Sequence, residues 1–171
     1  MDEISYGAAE YTNDPSFEIA WAVEVPFLNL LLCYPLQAAE RANIHMSLLL
    51  TCNTKELTMH KKFNVIYDKF REIFPKMNVE KITEVELKGE NKQQWFIFCE
   101  HFKEEIEDYN LATIMRIRTN GAYSEENTII VPKIIFLAVE IARNKEGLNE
   151  SYKESFKTEY EKIRREGGNI C

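Results

Sequence analysis

The residues of this chain that could do chemistry are three histidines, four cysteines and several adjacent carboxylates. His45, His60 and His101 stand far apart. None falls in an H-E-x-x-H frame, which would place two imidazoles on one helix face around a metal. His45 and His101 lie near acidic residues on predicted helices, and the three read as surface or half-buried groups. Glu104-Glu105, Glu107-Asp108 and Glu125-Glu126 pair carboxylates. Glycoside hydrolysis requires two acids about 5–10 Å apart across a cleft. Adjacency on a helix supplies no cleft, so these pairs read as solvated faces or as charges at helix starts. Cys33, Cys52, Cys99 and Cys171 form no C-x-x-C pair, which argues for reduced thiols and against zinc. Cys99 sits beside Phe98 and Phe102 on an apolar stripe, where burial suppresses the thiolate. None of the six glycines fits G-x-x-x-x-G-K-[ST] or G-x-G-x-x-G. The expectation is a protein without a catalytic site, metal or cofactor.

Composition narrows the partners. The chain has 171 residues, 45% apolar and 29% charged, which suits one soluble domain with a real core. Its net charge of −7 argues against nucleic acid, whose phosphates need a basic face. The N-terminal segment is acidic and lacks a basic n-region, so no signal peptide is expected. The apolar run Val25–Leu36 is broken by Asn29 and carries two prolines. It is too short for a membrane span, which takes about 20 apolar residues. A monomer in the cytoplasm, away from membranes, is the resulting expectation.

The elements that must position these residues read as mainly helical. Residues 1–12 are taken as a flexible N-terminus, 13–149 as a single helical domain and 150–171 as a charged C-terminal helix or tail. Asn13-Asp14-Pro15 is a helix start, followed by Phe17, Ala20 and Trp21 at helical spacing until Pro26. A second helix is expected over Leu36–Leu50, with Ala39, Ala42 or Asn43, Met46, and Leu49 or Leu50 on one face. Thr54 caps a third that runs to about Phe74 before Pro75. Thr83 and Glu86 have capping-box spacing for a short turn or helix. Asn91–Tyr109 is the clearest helix, with Trp95, Phe98, Cys99, Phe102, Ile106 and Tyr109 on one stripe. The period changes to two over Thr113–Thr119, and Asn120-Gly121 is a turn dipeptide, so one short β-hairpin is placed near residues 113–131. Pro132 opens a helix that buries Ile135, Phe136, Val139 and Ala142 and ends near Gly147. Tyr152, Phe156, Tyr160 and Ile163 mark a terminal amphipathic helix closed by Gly167-Gly168.

Arg116, Arg118, Lys133 and Arg143 make a modest basic set. Arg116 and Arg118 would project from one strand face and either meet a partner or pair with Glu125 and Glu126. The apolar helix Pro132–Arg143 is either plain core or exposes part of Ile129–Phe136 as a binding patch.

Three stretches together resemble the polysaccharide biosynthesis domain-containing protein family of eukaryotes. They are Asn13-Asp14-Pro15 with Ala20-Trp21-Ala22, the run Trp95, Phe98-Cys99, Phe102 and Glu107-Asp108-Tyr109-Asn110, and Tyr123–Asn149. The resemblance covers about residues 11–149 and brings no catalytic motif. At residues 24–37 the chain departs from the family pattern, with an apolar stretch that is either a retained intron or a real insertion. The resemblance implies a cytosolic chaperone for newly made translation elongation factor 1 alpha, bound through its GTP-binding domain, at the ribosome or after release. The family name itself suggests the alternative, an enzyme of polysaccharide biosynthesis or modification, for which the chain lacks a glycine-rich donor site. On the chaperone reading, the expected contact surface is Arg116, Arg118, Tyr123, Glu125, Glu126, Asn127, Ile129, Pro132, Phe136 and Arg143. Glu104, Glu107 and Asp108 are expected to steer a basic client.

Overall fold

The computed structural model describes residues 33–167. The expected flexible N-terminus, the helix at Asn13-Asp14-Pro15, most of the 24–37 departure and Cys171 lie outside the described residues. The order is α1 (Cys33–Thr51), α2 (Phe63–Ile73), α3 (Glu84–Lys88), α4 (Lys92–His101), β1 (Ala112–Arg116), β2 (Thr128–Pro132), α5 (Lys133–Lys145), α6 (Leu148–Ser151) and α7 (Lys153–Arg165). The fold is mainly α with one two-stranded antiparallel hairpin.

Helix α5 lies at the centre because its sequence is apolar around most of its circumference. Ten of its residues, Ile134, Ile135, Leu137–Asn144, are buried. Against it, α2, α3 and α4 build the larger core. Phe70, Phe74, Trp95, Phe98 and Phe102 stack there, with the Phe74 and Trp95 rings 4.2 Å apart. A smaller core joins α1 to α7 through Ala42, Met46, Leu49, Ala122, Tyr123 and Phe156. The charged C-terminal segment is therefore packed through Phe156 as part of the fold. The capping signal of α3 holds: the Thr83 N–H and hydroxyl donate to the Glu86 carboxylate at 2.7 and 3.0 Å. Gly147 closes α5 with φ 77°, a left-handed position that glycine takes without strain.

Four boundaries differ from expectation. Helix α1 begins at Cys33, with Pro35 in its first turn, where the missing N–H costs nothing. Helix α2 begins at Phe63, because the Thr54 N–H and hydroxyl are spent on the Glu150 carboxylate at 3.0 and 2.9 Å. Helix α4 stops at His101. The run Glu104, Glu105, Glu107, Asp108 would oppose the helix dipole at a C-terminal end, and the chain instead turns while Ile106 and Tyr109 stay buried. Finally, Asn120-Gly121 is not a tight hairpin turn. β1 and β2 pair from Ala112↔Pro132 to Arg116↔Thr128, and residues 117–127 form a long connection. Asn127 ties that connection together: its amide nitrogen donates to Arg118 O and Ala122 O (3.2 and 2.9 Å), and its oxygen accepts from the Arg118 N–H at 2.9 Å. Pro132 ends β2 and caps α5 from the position before its first turn.

Candidate functional site: a buried arginine–glutamate–arginine cluster

The chemistry-bearing side chains converge inside the molecule. Glu140 is the one acid on the buried face of α5, and Arg143 follows it one turn later. The end of β1 delivers Arg116, α6 delivers Asn149, α1 delivers His45, and the 117–127 connection delivers Tyr123. Arg116, Tyr123, Glu140, Arg143 and Asn149 are all 0% exposed and His45 is 3% exposed, so bulk water is shut out of the whole group.

Its geometry is dense. Arg116 Nη2 donates to both Glu140 oxygens (3.2 and 3.1 Å) and to Asn149 Oδ1 (2.7 Å). Arg116 Nη1 donates to the carbonyls of Thr119 and Gly121. Arg143 Nη1 donates to Glu140 Oε1 at 2.7 Å and to Arg116 O at 2.9 Å, while its other nitrogens bind Val79 O and Ile117 O. Asn149 Nδ2 bridges Glu140 Oε2 (3.1 Å) and Asn144 Oδ1 (2.7 Å). The Arg116 guanidinium also lies 5.2 Å from the Phe156 ring centre, a cation–π distance. His45 Nδ1 is 2.7 Å from the Tyr123 hydroxyl, and its Nε2 lies 3.8 Å from Glu140 without a hydrogen-bond partner.

These contacts set the charges. Burial alone would raise the Glu140 carboxyl, but the Arg116 and Arg143 guanidinium groups overcome it and hold the group well below the usual carboxylate range. Burial pushes His45 down to about 4 against the pull of Glu140, with Arg116 and Arg143 adding to the depression. The histidine is therefore neutral at physiological pH, and its Nδ1 shares a hydrogen bond with the Tyr123 hydroxyl. The carboxylate is held as an anion and the imidazole as a neutral ring, and both are enclosed away from the surface. The cluster joins β1, the 117–127 connection, α1, α5 and α6.

This placement corrects several expectations. His45 is buried, where a surface or half-buried position was expected. Arg116 pairs with Glu140, not with Glu125 or Glu126, and Arg143 belongs to the same internal cluster. Of the expected contact surface, Arg116, Tyr123, Asn127, Pro132 and Arg143 are buried. Arg118, Glu125 and Glu126 are exposed, and Ile129 and Phe136 are half-buried against the larger core. They do not form one exterior face, because Arg116 of β1 and Arg143 of α5 both turn to the buried Glu140 carboxylate, while Arg118 stays exposed. The signal that would have found the cluster is Glu140 itself, a single acid within Ile134–Ala142 with Arg143 at i+3. Cys99 is buried, and burial raises its thiol as expected. Among the described residues, no three His, Cys, Asp or Glu side chains lie together as metal ligands would. An open groove of about 620 Å³ runs between α1 and α7, lined by Leu50, Lys157, Tyr160, Glu161, Arg164 and Arg165.

The fold and its centre define a small, mainly α protein with one short hairpin and a buried ionic cluster. Within that class the chain belongs to the PBDC1 protein family, the polysaccharide biosynthesis domain-containing proteins, which it matches over residues 32–154. It is 37% identical over 149 residues to Protein PBDC1 of Mus musculus, covering 86% of this chain and 69% of that protein. Against Protein PBDC1 of Homo sapiens the identity is 35%, covering 86% of this chain and 58% of the human protein. The chain thus spans under two thirds of the human relative's length. A solution NMR structure of the Saccharomyces cerevisiae protein yst0336 superposes with a TM-score of 0.67 at 34% identity, covering 78% of this chain and 95% of the yeast one.

Proposed function

We propose that this protein is a cytoplasmic folding chaperone that binds newly made translation elongation factor 1 alpha through its GTP-binding domain and catalyses no reaction. The observation that carries this reading is family membership across residues 32–154, since the resemblance to that family implies chaperone work in the biogenesis of the elongation factor. Two features of the molecule support it. The ionisable groups best placed for acid–base chemistry are consumed in holding the fold, which leaves the exterior to act. That exterior is acidic overall, at −7 for the whole chain, and carries large apolar side chains in solvent at Ile44, Val65, Val85 and Ile97. A folding client exposes apolar surface and unpaired strands, and such a surface suits it. No helix among the described residues is long and apolar enough to cross a membrane.

Affinity capture from the source cell tests the reading: elongation factor 1 alpha should dominate the eluate, and more strongly when protein synthesis is under way. Ribosome co-sedimentation that depends on the nascent chain separates a chaperone from an adaptor. A thermal-shift screen with nucleotide sugars and S-adenosylmethionine tests the enzymatic alternative, and clear stabilisation by any of them overturns the chaperone reading.

A further inference from the structure

The two edges of the hairpin are finished differently. Ile117 N–H donates to Asn127 O at 2.8 Å, and Lys133 N–H donates to Leu111 O at 2.8 Å. With the register Ala112↔Pro132, these fix the hydrogen-bonded pairs as 113/131 and 115/129. The backbone groups of Ala112, Ile114 and Arg116 therefore point away from β2, and those of Thr128, Ile130 and Pro132 point away from β1. On the β1 edge two of the outward carbonyls are taken by side chains: Arg41 Nη2 donates to Ala112 O at 3.0 Å, and Arg143 Nη1 donates to Arg116 O at 2.9 Å. Lys81 and Arg118 bridge beyond it. Among the described residues the β2 edge has no such cover. The N–H and C=O of Ile130 meet no partner among the described residues. The Ile130 side chain is half-buried and belongs to neither core cluster. Thr128-Ile129-Ile130-Val131 also lacks the lysine or inward charge that usually blunts an exposed edge.

We propose that the outer edge of β2 is a docking strand that takes up an extended apolar segment of a client as an added antiparallel strand. The pairing is made by the outward N–H and C=O of Thr128 and Ile130, and Pro132, which has no N–H, sets its end. Charge selects the occupant. Glu125 and Glu126 are exposed just before Thr128, beside the C-terminal end of an antiparallel guest. The guest is therefore a strand with lysine or arginine at its C-terminal end. A second copy of this chain is disfavoured by the −7 charge on each molecule. The inference deepens the chaperone reading and rests on it for the nature of the guest, an unpaired strand of a folding chain.

The test uses the full chain labelled with nitrogen-15 and a synthetic decapeptide of alternating valine and threonine ending in two lysines. Binding should shift and protect the Thr128 and Ile130 amides. N-methylation of the peptide's alternate residues in one phase should weaken binding about tenfold or more, and in the other phase change little. Ile130→Pro removes the outward donor at an edge position that tolerates proline, and should abolish the shifts with melting little changed. The N-methylated peptides decide the matter even if that variant folds poorly. No binding, or binding indifferent to both N-methyl phases, overturns the proposal. So does sedimentation as a dimer that Ile130→Pro returns to monomer, since the occupant is then a second copy. Capture of elongation factor 1 alpha separates the two readings. Wild type and Ile130→Pro capturing it equally sinks the edge and leaves the chaperone standing, whereas failure of the wild type sinks the chaperone.

Discussion

Glu140 sits fully buried between two fully buried guanidinium groups, so its loss leaves two buried cations facing each other. Glu140→Gln should destabilise the protein by about 3–5 kcal/mol, the usual cost of breaking a buried pair from one side, measured by urea unfolding. Acid should act on the same cluster in two stages. Neutral His45 stays unprotonated in the folded protein down to about 4, whereas the unfolded chain takes up that proton near 6.5. Stability is unaffected by His45 above that range and falls as pH drops from 6.5 to about 4, by on the order of 3 kcal/mol. Glu140 works from below: its contribution is complete above the unfolded carboxyl pKa of about 4.3 and is lost as pH falls through its lower folded value. His45→Gln should flatten the upper stage and leave the lower one. A slope between pH 6.5 and 4 that survives the substitution would show that another group carries it. Little of this was legible in the sequence. Alternation placed Arg116 on a strand and helical period placed Arg143 on a buried helix, but neither rule says that Glu140, one turn before Arg143 on that helix, will draw Arg116 inward from β1.

At the scale of elements, local rules succeeded where partners lie close in sequence. The capping box of α3, the aromatic stripe of α4, the strands near residues 113–131 and the glycine stop after α5 all follow from spacings of a few residues. The misplaced boundaries have other causes, one of them a partner far away in sequence. Thr54 meets Glu150 ninety-six positions away and never caps α2, and Asn127 replaces a tight turn with a held loop. Gly121 shows how tight that hold is. A methyl group there would stand 2.6 Å from the Asn127 amide nitrogen and 3.0 Å from the Glu159 carboxylate, which itself accepts the Ala122 N–H at 3.1 Å. Gly121→Ala should therefore loosen the loop and its grip on α7, lowering amide-exchange protection at Ala122 and along α7. Unchanged protection in both would show that the Asn127 side chain moves aside without cost. Phe156→Ala attacks the same joint from α7 and should cost about 3–5 kcal/mol, since the ring is fully buried between α1 and the loop and lies against Arg116. A melting temperature close to wild type would mean that α7 only rests on the surface.

For the whole molecule, charge acts at a distance that packing cannot. The net −7 gives a field that steers a basic partner before any contact forms, and steering appears in the association rate and its salt dependence. Glu104, Glu107 and Asp108 lie exposed on the turn after α4, where they hold no part of the core. Reversing Glu104 and Glu107 to lysine tests their share without disturbing the fold. Asp108 needs gentler treatment: it occupies φ 54°, a left-handed position that asparagine tolerates and lysine does not, so Asp108→Asn removes its charge without adding strain. On the proposed chaperone reading, the combined variant should bind elongation factor 1 alpha more slowly at low salt, with a flatter dependence of on-rate on ionic strength and an off-rate little changed. The off-rate is the control, because groups that act only by steering leave the docked complex intact. If the off-rate rises while the on-rate stays put, the turn after α4 is part of the contact itself. If both stay put, the approach is guided from another acidic face, and Glu125-Glu126 beside the open strand edge is the next pair to neutralise.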